Sequence, residues 1–305
     1  MCQGVKKPLR LPFVRKPEPL RLGDAVEVVA PSSAFDRDRF LRGVEALRAI
    51  GLVPRYREEI FTKAAHLAGD DGRRQSELEK ALAGDAKALI LARGGYGLLR
   101  FATQLAAPIP AKLLIGYSDA TVLHELWWRA ETPSIHGPMC TQLGEDPAAV
   151  ARLSALLKGE DPGAIDFEPE TARGGRVEAP LRGGNLATLA SMCGTTLQPQ
   201  FKDSIVLFED LNEPPYRLDR LLTQLLLSGV LDGARGFIIG DLTAPGEDDK
   251  GRHEAVAERL LPLGVPLVFG APFGHAGRNQ PVAFGIAHAL DADAGRLVPL
   301  DKPIC

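Results

Sequence analysis

At 305 residues and 45% hydrophobic, the chain is long enough to bury two domain cores. A formal net charge of −3, with 25% charged residues, argues against a nucleic-acid protein, which needs a basic face to neutralise phosphates. No apolar run approaches the ~18 residues of a membrane span, and Cys2, Cys140, Cys193 and Cys305 lack metal spacing, so they read as free thiols of a reducing compartment.

The N-terminus is basic and proline-containing, with Lys6, Lys7, Arg10, Arg15, Lys16 and Arg21 among Pro8, Pro12, Pro17 and Pro19. It has no apolar h-region and reads as a loosely ordered arm, not a secretory signal. Cys2 follows no leader and is not expected to be lipidated. The expectation is a soluble cytoplasmic protein.

Strand and helix signals then alternate. Ala25 to Pro31 reads as a strand, and Phe40, Val44, Leu47 and Ile50 mark one face of a helix. A short strand lies near Leu52 to Tyr56, and Asp70 to Leu82 is a polar helix with Leu78 and Leu82 facing in. Lys87 to Ala92 is a strand running into Arg93-Gly-Gly-Tyr-Gly97. Lys112 to Gly116 is a buried strand. After it come a sharp turn at Ser118 and a helix from Asp119 with Val122, Leu123, Leu126 and Trp127 on its apolar side. Pro133 to Gly137 is a further strand. Such alternation implies a parallel sheet with helices on both faces, binding ligands at its carboxyl ends.

Residues 161–180, rich in glycine, proline and acids, read as a linker between a domain over 1–160 and another over 181–305. In the second, Arg182-Gly-Gly-Asn-Leu186 is a loop entering a helix. The strand Ser204 to Phe208 leads to Glu209-Asp210, and Tyr216 to Leu227 is an amphipathic helix. Gly236 to Gly240 is a strand, Glu254 to Leu263 a helix, and Pro266 to Phe269 a strand leading to His275. The tail from Val282 to Leu300 reads as a hairpin turning around Asp291 to Gly295. There is no internal repeat or low-complexity tract.

Ser118 sits where a strand turns sharply into a helix. Its hydroxyl would lie at the strand's carboxyl end, and the helix's first N–H groups point at the same place. Gly116-Tyr-Ser118-Asp-Ala120 differs from G-x-S-x-G only in having Ala120 for the second glycine. Ser118 or Asp119 as a plain helix cap uses the same residue types. A nucleophilic serine needs a base. His275 lies in a glycine-bracketed loop after a strand; His136 is the rival, and His124 reads as helix surface or core. Glu209 ends an apolar strand and suits the orienting carboxylate, although a Glu-Asp pair also serves as a cap or ion pair. The glycines of Arg93-Gly97 permit either a tight turn or an anion-binding nest. The segment is neither a Walker A loop nor a full G-x-G-x-x-G. His253-Glu254 begins like H-E-x-x-H but has Ala257 where the second histidine belongs, so neither a metal nor a cofactor is expected.

Several segments together resemble the LD-carboxypeptidase family, the muramoyl-tetrapeptide carboxypeptidases. They are Ala30-Pro-Ser32, Ala92-Arg-Gly-Gly-Tyr-Gly97, Ile115-Gly-Tyr-Ser-Asp119 and His136-Gly-Pro-Met139, then Gly183-Gly-Asn-Leu186, Phe208-Glu-Asp210, Pro215-Tyr-Arg217 and Phe273-Gly-His275 with Asn279. The ordered set spans most of the chain. One departure is Ala283, where the family often has proline, and it bears on local loop geometry.

The resemblance implies a flavodoxin-like N-terminal parallel-sheet domain and a C-terminal β-rich, swivelling α/β domain, in a homodimer. It implies a triad split between them: Ser118 as nucleophile, His275 as base and acid, Glu209 as orienting carboxylate. The N–H groups of Asp119 and of Gly95 would form the oxyanion hole. The implied reaction releases the terminal D-alanine of murein tetrapeptide in the cytoplasm, with a small peptide as the partner. Its free carboxylate would meet the helix N-terminus at Asn185, with Arg93 and Arg217 as candidate cations, though either could be structural. Two alternatives share the scaffold: a microcin-immunity-type peptidase acting on peptidyl- or aminoacyl-nucleotides, and a non-catalytic small-ligand-binding protein. The former needs a nucleobase site, and no loop rich in tryptophan or phenylalanine lies near the motifs.

Overall fold

The computed structural model describes residues 15–242, 249–276 and 278–305. Cys2 and the basic arm from Lys6 to Pro12 lie outside the described residues.

The first half alternates as the hydrophobic pattern requires: β1 (Ala25–Val29), α1 (Arg37–Ala49), β2 (Val53–Arg55), α2 (Asp71–Ala83), β3 (Ala88–Leu91), β4 (Leu113–Gly116), α3 (Thr121–Arg129) and β5 (Ser134–His136). Every residue of β3 and β4 is buried, because helices cover both faces of the sheet. Val26, Val28, Ile90 and Ile115 pack on one face against Phe40, Val44 and Leu47 of α1. Leu89, Leu91 and Leu114 pack on the other against Leu78 and Leu82 of α2 and Val122, Leu123 and Trp127 of α3. Asp36 and Asp70 cap α1 and α2 by accepting from Arg39 N and Arg73 N. Next come α4 (Cys140–Leu143) and α5 (Pro147–Lys158), the latter capped by Asp146, started by Pro147 and ended by Gly159 in the left-handed region.

The second half comprises β6 (Ile165–Asp166), β7 (Glu170–Arg173), β8 (Arg176–Asn185), α6 (Leu186–Met192), β9 (Ile205–Glu209), α7 (Pro215–Leu227), β10 (Gly236–Ile239), α8 (Lys250–Leu260), β11 (Leu267–Phe269), β12 (Val282–Phe284), β13 (Ala287–Asp291) and β14 (Arg296–Pro299). The first sheet has the order β12-β5-β4-β3-β1-β2, and its β2-β1-β3-β4-β5 core is parallel in the flavodoxin-like order. The second has the order β6-β14-β13-β8-β9-β10-β11-β7, parallel from β8 to β11 and antiparallel towards both edges.

Four sequence expectations change. The stretch 161–180 is not a bare linker, since it holds β6, β7 and the start of β8. All four residues of β7 are exposed on an edge strand, so no apolar alternation marks it. Arg182 to Asn185 is the end of β8 and not a loop. A Cβ on Gly183 would lie 2.0 Å from Leu207 O, so the glycine lets β8 and β9 approach. The tail hairpin is β13–β14 alone, because β12 leaves it to pair antiparallel with β5 in the first sheet. Ala283 pairs there with Ile135, in a strand rather than a loop.

The halves meet along α3. Arg182 reaches from β8 to Glu125 of α3 at 2.8 Å, both buried, with its guanidinium 4.2 Å from the Trp128 ring centroid. Asn185 N donates to Thr121 Oγ1 at 3.0 Å. This contact sets the ends of β8 and β9 beside the end of β4.

Candidate active site

β4 ends at Gly116, and the chain reverses through Tyr117 and Ser118 into a short 3-10 turn and then α3. Ser118 has φ +62°, a left-handed conformation that costs a non-glycine residue energy and persists only where the surroundings impose it. Ala120 is fully buried, and a Cβ on Gly116 would lie 3.1 Å from its Cβ. Gly116 therefore supplies the space that lets alanine stand where the second glycine of a hydrolase turn would be.

The Arg93-Gly97 loop packs directly over this turn. Gly95 N donates to Ser118 Oγ at 3.4 Å. A Cβ on Gly94 would fall 2.8 Å from Ser118 Cβ, so only glycine fits there. The Asp119 carboxylate is buried and accepts from Ser32 Oγ at 2.6 Å and Leu98 N at 2.9 Å. It ties the turns after β1, β3 and β4 together. Burial raises its pKa above the ordinary value, against those hydrogen bonds and Arg74.

Glu209 closes β9 with no exposure, and its Oε2 lies 2.8 Å from Nδ1 of His275. A Cβ on Gly274 would come within 3.1 Å of the Cβ atoms of Glu209 and Asp241, so glycine admits the His275 loop between two strand ends. Burial disfavours the imidazolium of His275. The hydrogen bond and charge of Glu209, with the charges of Asp210 and Asp241, outweigh it and raise its pKa above 6.5. Asp210 and Asp241 are each pushed up to about 6, chiefly by burial.

Ser118 and His275 line one cleft of about 540 Å³, with Gly95, Tyr117, Arg39 and Arg93. Among the described residues no hydrogen bond joins Ser118 to His275. Unliganded catalytic pairs are often loose, so this leaves the assignment standing. His136 is not a rival base: it is fully buried among the rings of Tyr117, Phe273, Phe284 and His124, and burial holds it neutral. His124 is also buried, its Nε2 2.9 Å from Gly116 O and its Nδ1 2.7 Å from Ser134 Oγ. His253 pairs with Glu170 at 2.8 Å and stacks on Phe269, away from the cleft.

The expected carboxylate contacts fare unevenly. Arg93 lines the cleft and donates to Ala34 O at 2.6 Å. Asn185 lines it too, but its Oδ1 caps α6 through Thr188 N and its Nδ2 donates to Asp210 at 3.1 Å. The Asp210 carboxylate already accepts from Ala187 N at 2.8 Å, so the α6 N-terminus serves an internal anion rather than a ligand. Arg217 pairs with Glu213 at 2.7 Å in the first turn of α7 and does not line the cleft. The cleft also contains Arg39, which lies in none of the sequence motifs. It is paired with Glu145 at 2.7 Å, and its signal was its place in the first turn of α1, above the carboxyl end of β1.

A parallel sheet that ends in a strained serine turn, facing a histidine held by a buried glutamate, is the arrangement of a serine hydrolase. The chain belongs to the LD-carboxypeptidase family. Residues 26–137 match its N-terminal domain and residues 178–290 its C-terminal domain, which makes the protein a serine-type carboxypeptidase. A Streptomyces coelicolor protein whose name reads "putative carboxypeptidase" is 37% identical over 94% of this chain and 96% of its own. The murein tetrapeptide carboxypeptidase of Pseudomonas aeruginosa is 33% identical over 88% of this chain and 93% of its own. The solved structure of MccF with glutamyl sulfamoyl guanosine shares the fold at a TM-score of 0.80, with 21% identity over 95% of this chain and 99% of that one.

Proposed function

We propose that the protein hydrolyses the L,D-peptide bond of murein tetrapeptide and releases the terminal D-alanine, in the cytoplasm and as a homodimer. The observation that carries this reading is the His275–Glu209 pair at 2.8 Å in the cleft that Ser118 shares. The match to the Pseudomonas aeruginosa murein tetrapeptide carboxypeptidase supports the substrate.

In this mechanism Ser118 Oγ attacks the carbonyl carbon of the L,D bond as His275 takes its proton. Glu209 orients the imidazole and stabilises its charged form. The oxyanion is met by the N–H of Gly95, which already reaches Ser118, and by that of Asp119. As the intermediate collapses, His275 passes the proton to the leaving amine of D-alanine. Water then attacks the acyl-enzyme, with His275 again as base, and frees Ser118. Arg93 meets the carboxylate of the leaving residue.

The same residues could cleave an aminoacyl-nucleotide analogue, and the likeness to MccF makes that the comparison substrate. Incubation with murein tetrapeptide, with its L-alanine diastereomer and with glutamyl sulfamoyl guanosine separates the two. Release of alanine from the D-substrate alone is expected. Cleavage of the nucleotide analogue with inert tetrapeptide would overturn the proposal.

A further inference from the structure

We propose that Asp241, at the end of β10, is a positioning residue that clamps the His275 loop and the Glu209 strand end into one unit. This rests on the reading of His275 as the base. Three bonds carry it. The Asp241 carboxylate accepts from Ala276 N, on the far side of His275, at 2.6 Å. Its own N–H donates to Phe273 O, on the near side, at 2.8 Å. Its carbonyl accepts from Asp210 N, next to Glu209, at 2.8 Å. One residue thus brackets His275 on both sides and anchors the neighbour of Glu209.

The geometry around it is built for close approach. A Cβ on Gly240 would fall 2.3 Å from Phe273 O, and one on Gly274 would fall 3.1 Å from Asp241 Cβ. Glycine at both positions lets the loop sit down on the strand end. The anchor matters because β11 stops at Phe269 and the described residues from there to His275 form neither helix nor strand. Beside the clamp, the Glu209 bond, the Asn279–Gly274 bond of 3.3 Å and the Tyr117 ring hold the imidazole's place, but none of these ties the loop on both sides of His275 to the strand end.

The charged surroundings give the carboxylate a second effect. Glu209 and Asp210 from β9 and Asp241 from β10 favour the imidazolium, while burial opposes it. Tyr117 and His136 face the loop from the first sheet, both kept neutral by burial. Arg39 and Arg93 line the same cleft and are cationic. Asp241 therefore supports the protonated form of His275, and its removal lowers the titration midpoint.

The test uses the full-length protein and two variants. Asp241→Asn keeps an oxygen for the Ala276 N–H and removes the charge. Asp241→Ala removes both. The His275 imidazole is titrated by nitrogen-15 NMR, a readout that a merely structural role would not move and that needs no turnover. A lower midpoint in Asp241→Asn than in wild type is expected. Asp241→Ala should lose on the order of ten- to a hundredfold in kcat with KM little changed, the cost of a base displaced by about an ångström. An unchanged midpoint in Asp241→Asn, or wild-type kcat in a folded Asp241→Ala, would overturn the proposal. If Asp241→Ala does not fold, the Asp241→Asn midpoint decides alone. A wild-type protein inert on tetrapeptide would sink the substrate reading and still leave the titration decisive for Asp241.

Discussion

The Tyr117 ring lies 4.7 Å, centroid to centroid, from the imidazole of His275. The residue before the proposed nucleophile therefore packs against the proposed base, and the cleft is assembled across the two sheets. Gln142 fixes the phenol from α4 with a 2.6 Å hydrogen bond to Tyr117 Oη. Tyr117→Ala should remove this support. We expect kcat to fall on the order of tenfold or more, with the circular dichroism of the fold retained.

The pH dependence follows from the sign of the His275 shift. In the proposed mechanism His275 must be neutral to take a proton from Ser118, and the surrounding carboxylates raise its pKa above 6.5. The proton stays on as pH rises through the ordinary histidine range, so the acid limb of kcat/KM should sit above it. Glu209→Gln removes the hydrogen-bonded charge. Its acid limb should move to lower pH while kcat falls by up to about 10⁴-fold. A limb that stays in place in Glu209→Gln would contradict the pairing.

Arg93 and Arg217 should behave differently, although both lie in family motifs. Arg93 lines the cleft, whereas Arg217 is paired with Glu213 outside it. Arg93→Ala should cost a charge-assisted contact of roughly 1.5–3 kcal/mol, about ten- to a hundredfold in kcat/KM. A tetrapeptide amidated at its C-terminus should show a similar loss with wild type and little further loss with Arg93→Ala. Arg217→Ala should leave kcat/KM near wild type.

Stability should be sensitive where the halves meet. Glu125→Ala leaves the Arg182 guanidinium buried without its carboxylate partner. Removing one member of such a pair costs roughly 3–5 kcal/mol. Urea unfolding should show a lower midpoint, and replacing both residues with apolar ones of similar volume should recover much of it.

The parts legible in the sequence were those with a local signal. The strands ending at Leu91 and Gly116 are apolar throughout because helices cover both faces, and the helix carrying Phe40, Val44 and Leu47 shows its stripe. Glu209 at a strand end and His275 in a glycine-bracketed loop each carry a local cue, and the motif resemblance supports their pairing across 66 positions, which no local signal links. What was missed is non-local. Glu170 to Arg173 is an exposed edge strand whose partner lies at Leu267 to Phe269. Val282 to Phe284 joins the first sheet through a pairing with Ser134 to His136. The helix N-terminus at Asn185 reads as an anion site in sequence, and only the fold brings Asp210 to occupy it. The helix from Pro147 to Lys158 has ordinary start and stop signals in Asp146, Pro147 and Gly159, but its weak apolar stripe does not single it out.

The most direct measurement is D-alanine release from murein tetrapeptide by wild type and by Ser118→Ala, with folding of both checked by thermal melting. The account predicts release by wild type and a fall in kcat of roughly 10⁴-fold or more in a variant that still folds. Near-native turnover by Ser118→Ala would contradict it.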